Sequence, residues 1–155
     1  MKGQKEIIER LNVILTNELT AVNQYFLHAR MYENWGITKL GRKTYEESIG
    51  EMKHADMLVK RILFLEGLPN MQDLHKLALG EDVPEALECD LKLERRGRTD
   101  LIDAIAACEK AKDFVSRDLL RTILTDTEQH VDYLETELAL LKSLGVQNYL
   151  QSRAE

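Results

Sequence analysis

Proline, cysteine and aromatic residues are scarce in this sequence: two prolines, two cysteines and 6% aromatics in 155 residues. So little proline leaves long helices unbroken. Cys89 and Cys108 stand far apart and no C-x-x-C occurs, which excludes paired-cysteine metal sites and dithiol redox chemistry. They read as reduced, structurally ordinary thiols. No apolar run approaches the roughly 18 residues of a membrane span, and the opening MKGQKEIIERLN lacks the apolar core of a secretion signal. The expected location is the cytoplasm, with no membrane partner. Basic residues are the minority, 21 against 27 acidic, giving a net charge of -6 and a pI near 5.3. That balance argues against a nucleic-acid surface. The one basic cluster, Arg95-Arg96-Gly97-Arg98, reads as a solvated helix face.

What is present is helical periodicity. With 44% hydrophobic and 31% charged residues, the chain has the balance of a helical globular protein. It is expected to form one domain over 1–155, burying roughly two thirds of its unfolded surface. Apolar residues recur at three- and four-residue steps in four segments, about 4–34, 38–65, 82–111 and 114–142. Trp35-Gly36 breaks the first from the second, Asp82 with Pro84 opens the third, and Gly145 closes the fourth. The tail VQNYLQSRAE holds a short terminal helix.

Connection lengths set the topology. The joins near 36 and 112 are short and make antiparallel neighbours. The segment from Glu66 to Asp82 is long enough to cover roughly 55 Å when extended, against about 40 Å for a helix of this length. It can traverse the bundle and leave the second and third helices parallel. The expected fold is all-α, a ferritin-like four-helix bundle with one long crossover.

Charged residues inside the apolar stripes are the informative exceptions. Glu18 shares a stripe with Leu11, Ile14 and Val22; Glu51 and His54 share one with Ser48, Ala55, Leu58 and Ile62; Glu94 lies among Leu87, Leu91, Leu101 and Ile105; His130 lies between Ile123 and Leu134. In the expected topology Glu18, Glu51, Glu94 and His130 fall at nearly one depth, with His54 one turn along from Glu51 on the same face. The spacing also repeats: Glu18 to His54 spans 36 residues, as does Glu94 to His130. By the same repeat, the counterpart of Glu51 falls at position 127, which is Thr. Taken singly, each of these side chains reads as hydrogen-bonded core. Together, carboxylates with Glu-x-x-His suit two iron ions, hard cations that favour oxygen with some imidazole.

Beyond spacing, the stretches NELTAVNQYFLHAR, EMKHAD, RILFLEGLPN, CDLKLE, DFVSRDLL, HVDYLETEL and GVQNYLQS give the chain a resemblance to the bacterioferritins over nearly its whole length. That resemblance implies a cage of 24 subunits that stores ferric mineral, with a ferroxidase centre in each subunit and haem b between subunit pairs. By position it implies Glu18 and His54 as terminal ligands of one iron, Glu94 and His130 of the other, and Glu51 bridging both. The family's second bridging Glu belongs at 127, where this chain has Thr. It implies Met52 as an axial haem ligand, although by stripe alone Met52 is a helix-contact residue with Tyr45, Ile49, Val59 and Leu63. Tyr25 is then beside the centre, or is simply packed; Asn148 and Gln151 match pore-lining positions. A ferredoxin-type donor for iron release is a further implied partner.

Two readings of function follow. One is iron storage with Fe(II) oxidation, impaired by the missing bridge. The alternative is a ferroxidase-deficient, haem-bearing subunit that co-assembles with a second, active bacterioferritin subunit. Three carboxylates leave one charge of two ferrous ions unbalanced in a buried site, so the Glu18–Glu51–His54 position is expected to hold metal better than its partner. No neighbour is expected to replace residue 127. Glu128 is two residues from His130 and points elsewhere, and Asp126 is short and a turn away. Glu46, Glu47 and Glu109 face either an acidic cavity or water. His28 and His75 have no partners at ligand spacing and are expected at a surface or interface.

Overall fold

Local chemistry places the helix ends close to where the periodicity does. The computed structural model describes residues 1–155 and contains α1 (Lys5–Asn34), α2 (Thr38–Phe64), α3 (Val83–Lys110), α4 (Phe114–Leu144) and α5 (Val146–Ser152). Asp82 caps α3 by accepting the Glu85 N–H at 2.9 Å, with Pro84 in the first turn. Asp113 caps α4 through the Ser116 N–H at 3.0 Å. Gly36 turns the chain between α1 and α2 with φ of 82°, a left-handed conformation that glycine adopts without a Cβ penalty.

α1 packs chiefly on α2, and α3 on α4, as two hairpins joined by α1–α3 contacts. The crossover from Leu65 to Asp82 lies along α1, tied by a polar stripe on that helix. Asn12 donates to the Leu68 carbonyl and accepts the Asn70 N–H. Thr20 accepts the His75 N–H, Gln24 accepts the Ala78 N–H, and His28 Nε2 accepts the Gly80 N–H. These contacts climb α1 in order, so the strap runs in the direction of α1 and returns the chain to the start of α2. α2 and α3 are therefore parallel. Gly80 packs so closely on α3 that a Cβ there would lie 2.1 Å from the Ala86 nitrogen.

This strap corrects the surface expectation for His28, and it gives His75, which stays partly exposed, a partner. His28 is fully buried, with Nδ1 at 2.8 Å from Asp90 and Nε2 occupied by Gly80. His75 is half-buried, its Nε2 at 2.9 Å from Asn17 Oδ1. Their partners come from other elements, so spacing along their own helix or strap gives no sign of them.

Two apolar clusters divide the bundle lengthwise. One gathers Ile7, Leu11, Ile14, Leu58, Ile62, Leu101 and Ile123 with their neighbours; the other gathers Tyr32, Leu40, Leu87, Leu91, Leu134 and Tyr149. Burial of these side chains, about 1.5–3 kcal/mol for each large one, is what carries a polar layer between them. α5 docks on the second cluster through Tyr149. Arg153 grips the buried Glu137 with two bonds of 2.7 Å. No helix is long and apolar enough to cross a membrane.

Candidate metal centre

The polar layer between the two clusters is built from all four long helices. Glu18 comes from α1, Glu51 and His54 from α2, Glu94 from α3, and Thr127 and His130 from α4, and every one is buried. The structure brings the five residues expected from the spacing to one level, with Thr127 among them.

His54 presents Nδ1 to Glu51 Oε2 at 3.4 Å and to Glu18 Oε2 at 3.5 Å. Its other nitrogen, Nε2, lies 2.8 Å from Asp126 Oδ2. A carboxylate behind an imidazole fixes the ring and raises its basicity toward a metal. Asp126 thus serves His54 across the bundle, a role that its i, i+4 relation to His130 on the same helix does not reveal. His130 in turn presents Nδ1 to Glu94 Oε1 at 2.9 Å and to Glu47 Oε2 at 3.7 Å. Tyr25, fully buried, donates its hydroxyl to the same Glu94 oxygen and meets the His130 ring edge-on, centroids 5.2 Å apart. Burial pushes the Tyr25 phenol well above its ordinary range, with the Glu94 charge adding to the effect. It is a hydrogen-bond donor at neutral pH.

Two triples offer ligand atoms all within 4.8 Å of one another: Glu18, Glu51 and His54, and Glu47, Glu51 and His130. Glu51 belongs to both. Glu94, held by Tyr25 and His130, belongs to neither, and Glu47 takes a place that the sequence reading left open between cavity and water. Glu18 Oε2 is buried with no well-formed hydrogen bond, its nearest partner being the His54 ring at 3.5 Å. A buried carboxylate oxygen so poorly paired is costly, and a cation would satisfy it.

Thr127 lines a cavity of about 20 Å³ with Glu18, Glu51 and Glu94, room for about one water. A larger cavity of about 200 Å³, lined by Glu47, Glu51, His54, Asp126 and His130, opens between α2 and α4. Glu128 turns outward to Arg98, 2.8 Å away, as its phase requires.

Burial alone would lower the His54 pKa; hydrogen bonds and attraction from Glu18 and Asp126 override it and raise the value to about 9. The His130 ring is raised as well, Glu94 overriding its burial. Both imidazoles hold protons more tightly folded than unfolded. The His54 contribution is complete below the ordinary histidine value of 6.5 and is lost as pH rises through about 9, and that of His130 is likewise lost as pH rises through its raised pKa. The thermal midpoint of the metal-free chain is expected to fall between those limits. Excess divalent metal, which takes the place of the protons, is expected to reverse the fall. A scan of thermal unfolding against pH, with and without metal, checks both.

The remaining expected residues lie outside this layer. Met52 is 51% exposed on α2, and Ile49, one turn before it, and Leu63, three turns after it, are exposed at 40% and 56%. Asn148 and Gln151 are exposed on α5; the Asn148 amide donates to the Leu144 carbonyl at 3.0 Å. Arg95 and Arg98 pair with Glu135 and Glu128 on an exposed face.

Comparison with known proteins places similar sequences around this geometry. A family model described as a ferritin-like domain matches residues 8–144. A protein named bacterial ferritin from Pseudomonas aeruginosa is 51% identical over 156 residues, 99% of each chain. A bacterioferritin from Brucella melitensis is 48% identical over 99% of this chain and 96% of its own. A bacterial ferritin from Synechocystis is 44% identical over 99% of each.

Proposed function

Because the chain belongs to the ferritin family, among the bacterioferritins and bacterial ferritins, we propose that it is an iron-storing cage subunit that takes Fe(II) into the polar layer as substrate. The observation that carries this is the pair of ligand triples sharing Glu51 inside a buried layer. Ferrous ions enter from the α2–α4 cavity. At the first position Glu18, Glu51 and His54 bind, with Asp126 orienting the ring; at the second, Glu51 and His130 bind, joined by Glu94, which lies outside both triples but meets His130 at 2.9 Å and is held by Tyr25. A pair of ferrous ions gives one electron each to dioxygen and becomes ferric, and the dioxygen takes up two protons and leaves as hydrogen peroxide. The ferric product then leaves for storage in the cage of 24 subunits.

The residue set supports a weakened oxidase. Glu18, Glu51 and Glu94 bring three negative charges to the four positive charges of two ferrous ions, and Thr127 adds none. Oxidation by this chain alone is slow at the second position. The same residue favours a second role, in which the chain shares a mixed cage with a fully equipped subunit and contributes haem rather than oxidation.

Haem b is the resident group this reading implies. The exposed Met52 thioether, on the side of α2 that also exposes the apolar Ile49 and Leu63, would hold the haem iron as a soft donor. Two copies of the chain would supply one Met52 each, and the group would conduct electrons for reductive release of stored iron from a ferredoxin-type donor.

Purified protein is expected to run at the mass of 24 subunits and, when Fe(II) is added in air, to take up far more iron than two ions per subunit. A monomer, or uptake that stops at two, would contradict storage. Met52→Ala is expected to remove the haem Soret absorption while leaving the assembly mass and iron uptake intact.

A further inference from the structure

The layer is one carboxylate short at residue 127, yet a fourth carboxylate does face it. Glu47 lies one turn before Glu51 on α2, so both project on the same side of that helix. Its side chain is only 20% exposed, and Oε2 lies 3.7 Å from His130 Nδ1. With Glu51 and His130 it forms a triple of ligand atoms within 4.8 Å. The other oxygen, Oε1, lies 2.9 Å from Lys43 Nζ, and the Lys43 ammonium sits 5.1 Å from the Tyr133 ring centroid. In the metal-free chain the charge of Glu47 is therefore balanced by a partly exposed lysine at the cavity mouth. A cation in the layer competes with Lys43 for that carboxylate.

We propose that Glu47 is a ligand of the second metal position and supplies from α2 the negative charge that Thr127 withholds from α4. The inference rests on the metal-centre reading above and adds one residue to it. Glu47, Glu18, Glu51 and Glu94 together balance two divalent ions, which removes the uncompensated buried charge. Glu18 Oε2, buried without a well-formed hydrogen bond in the triple that shares Glu51, marks the same layer as built for a cation. Glu47 replaces the charge of a residue-127 carboxylate without its position. It approaches from the α2–α4 cavity, whereas Thr127 faces the small void beside Glu18 and Glu94. Because Glu47 meets one histidine rather than both, it completes one metal position and does not bridge the two.

Cobalt(II), added anaerobically and followed by its visible absorption, tests this apart from oxidation. The unmodified chain is expected to bind two ions per subunit with separate affinities. Glu47→Gln, which keeps the shape and removes the charge, is expected to weaken the second about tenfold or more and leave the first unchanged. In a Thr127→Glu background the same substitution is expected to change the second affinity by no more than about twofold, because the bridging carboxylate then carries the charge. An equal loss in both backgrounds, or no loss in either, would overturn the role of Glu47 and leave the metal centre standing. An unmodified chain that binds no cobalt would overturn the metal centre and this inference with it.

Discussion

Thr127→Glu is expected to accelerate Fe(II) oxidation by the assembled protein about tenfold or more. The position is set by the internal repeat: Glu51 stands 33 residues after Glu18, and Thr127 stands 33 after Glu94. It is also set by the fold, since Thr127 is buried in the layer and lines the void beside Glu18, Glu51 and Glu94. A glutamate there enters the void beside those carboxylates and supplies a bridge between the two ions, which Glu47, meeting one histidine, does not. The same substitution has an opposite effect without metal. A further carboxylate among Glu18, Glu51 and Glu94 adds repulsion in a poorly solvated place, so the metal-free variant is expected to unfold at lower temperature and to recover when metal is added. Stopped-flow oxidation of the two proteins, at equal iron per subunit, measures the gain. Equal rates would mean that the missing carboxylate has no bearing on turnover.

Glu51→Gln is expected to have the largest effect in the other direction. Glu51 is the one residue in both ligand triples, so removing its charge weakens both metal positions at once. A loss of oxidation of about a hundredfold or more is expected, since charged ligands to a buried metal are each worth several kcal/mol. Glu94→Gln touches one position and is expected to cost less. The separating observation is stability. Glutamine keeps the volume of Glu51 and takes one charge from a layer that also holds Glu18 and Glu94, so the metal-free variant is expected to unfold no earlier than the parent. A packing residue behaves differently: Leu58, fully buried in the first apolar cluster, should cost about 2–5 kcal/mol on truncation to alanine. If Glu51→Gln lowers stability as Leu58→Ala does, its place in the bundle is structural.

The fold is written in the sequence because helix periodicity and connection length are local properties. The Glu66–Asp82 segment is long enough to traverse the bundle, which allows parallel α2 and α3, and its ordered contacts along α1 make them so. The depth argument that gathers Glu18, Glu51, His54, Glu94 and His130 follows from it, and the structure places these side chains in one buried layer. What escapes the sequence is decided between elements. Asp126 sits four residues before His130 on α4, yet it serves His54 on α2. His28 and His75 find their partners in the strap and in neighbouring helices, where spacing cannot point. Glu47 is a different case. Its i, i+4 relation to Glu51 puts it on the ligand face, but it lies in the run YEES beside Lys43, which looks like a solvated surface. Only the closeness of α4, with His130 3.7 Å away, distinguishes it from the exposed Glu46.

The most direct test is crystallography of the assembled protein soaked in Fe(II) without oxygen, with anomalous difference maps recorded on either side of the iron absorption edge. A pair of iron peaks is expected in the polar layer, one bounded by Glu18, Glu51 and His54, and a weaker one bounded by Glu51, Glu47, Glu94 and His130. The absence of iron from the layer in crystals that carry iron elsewhere would contradict a metal centre at these residues.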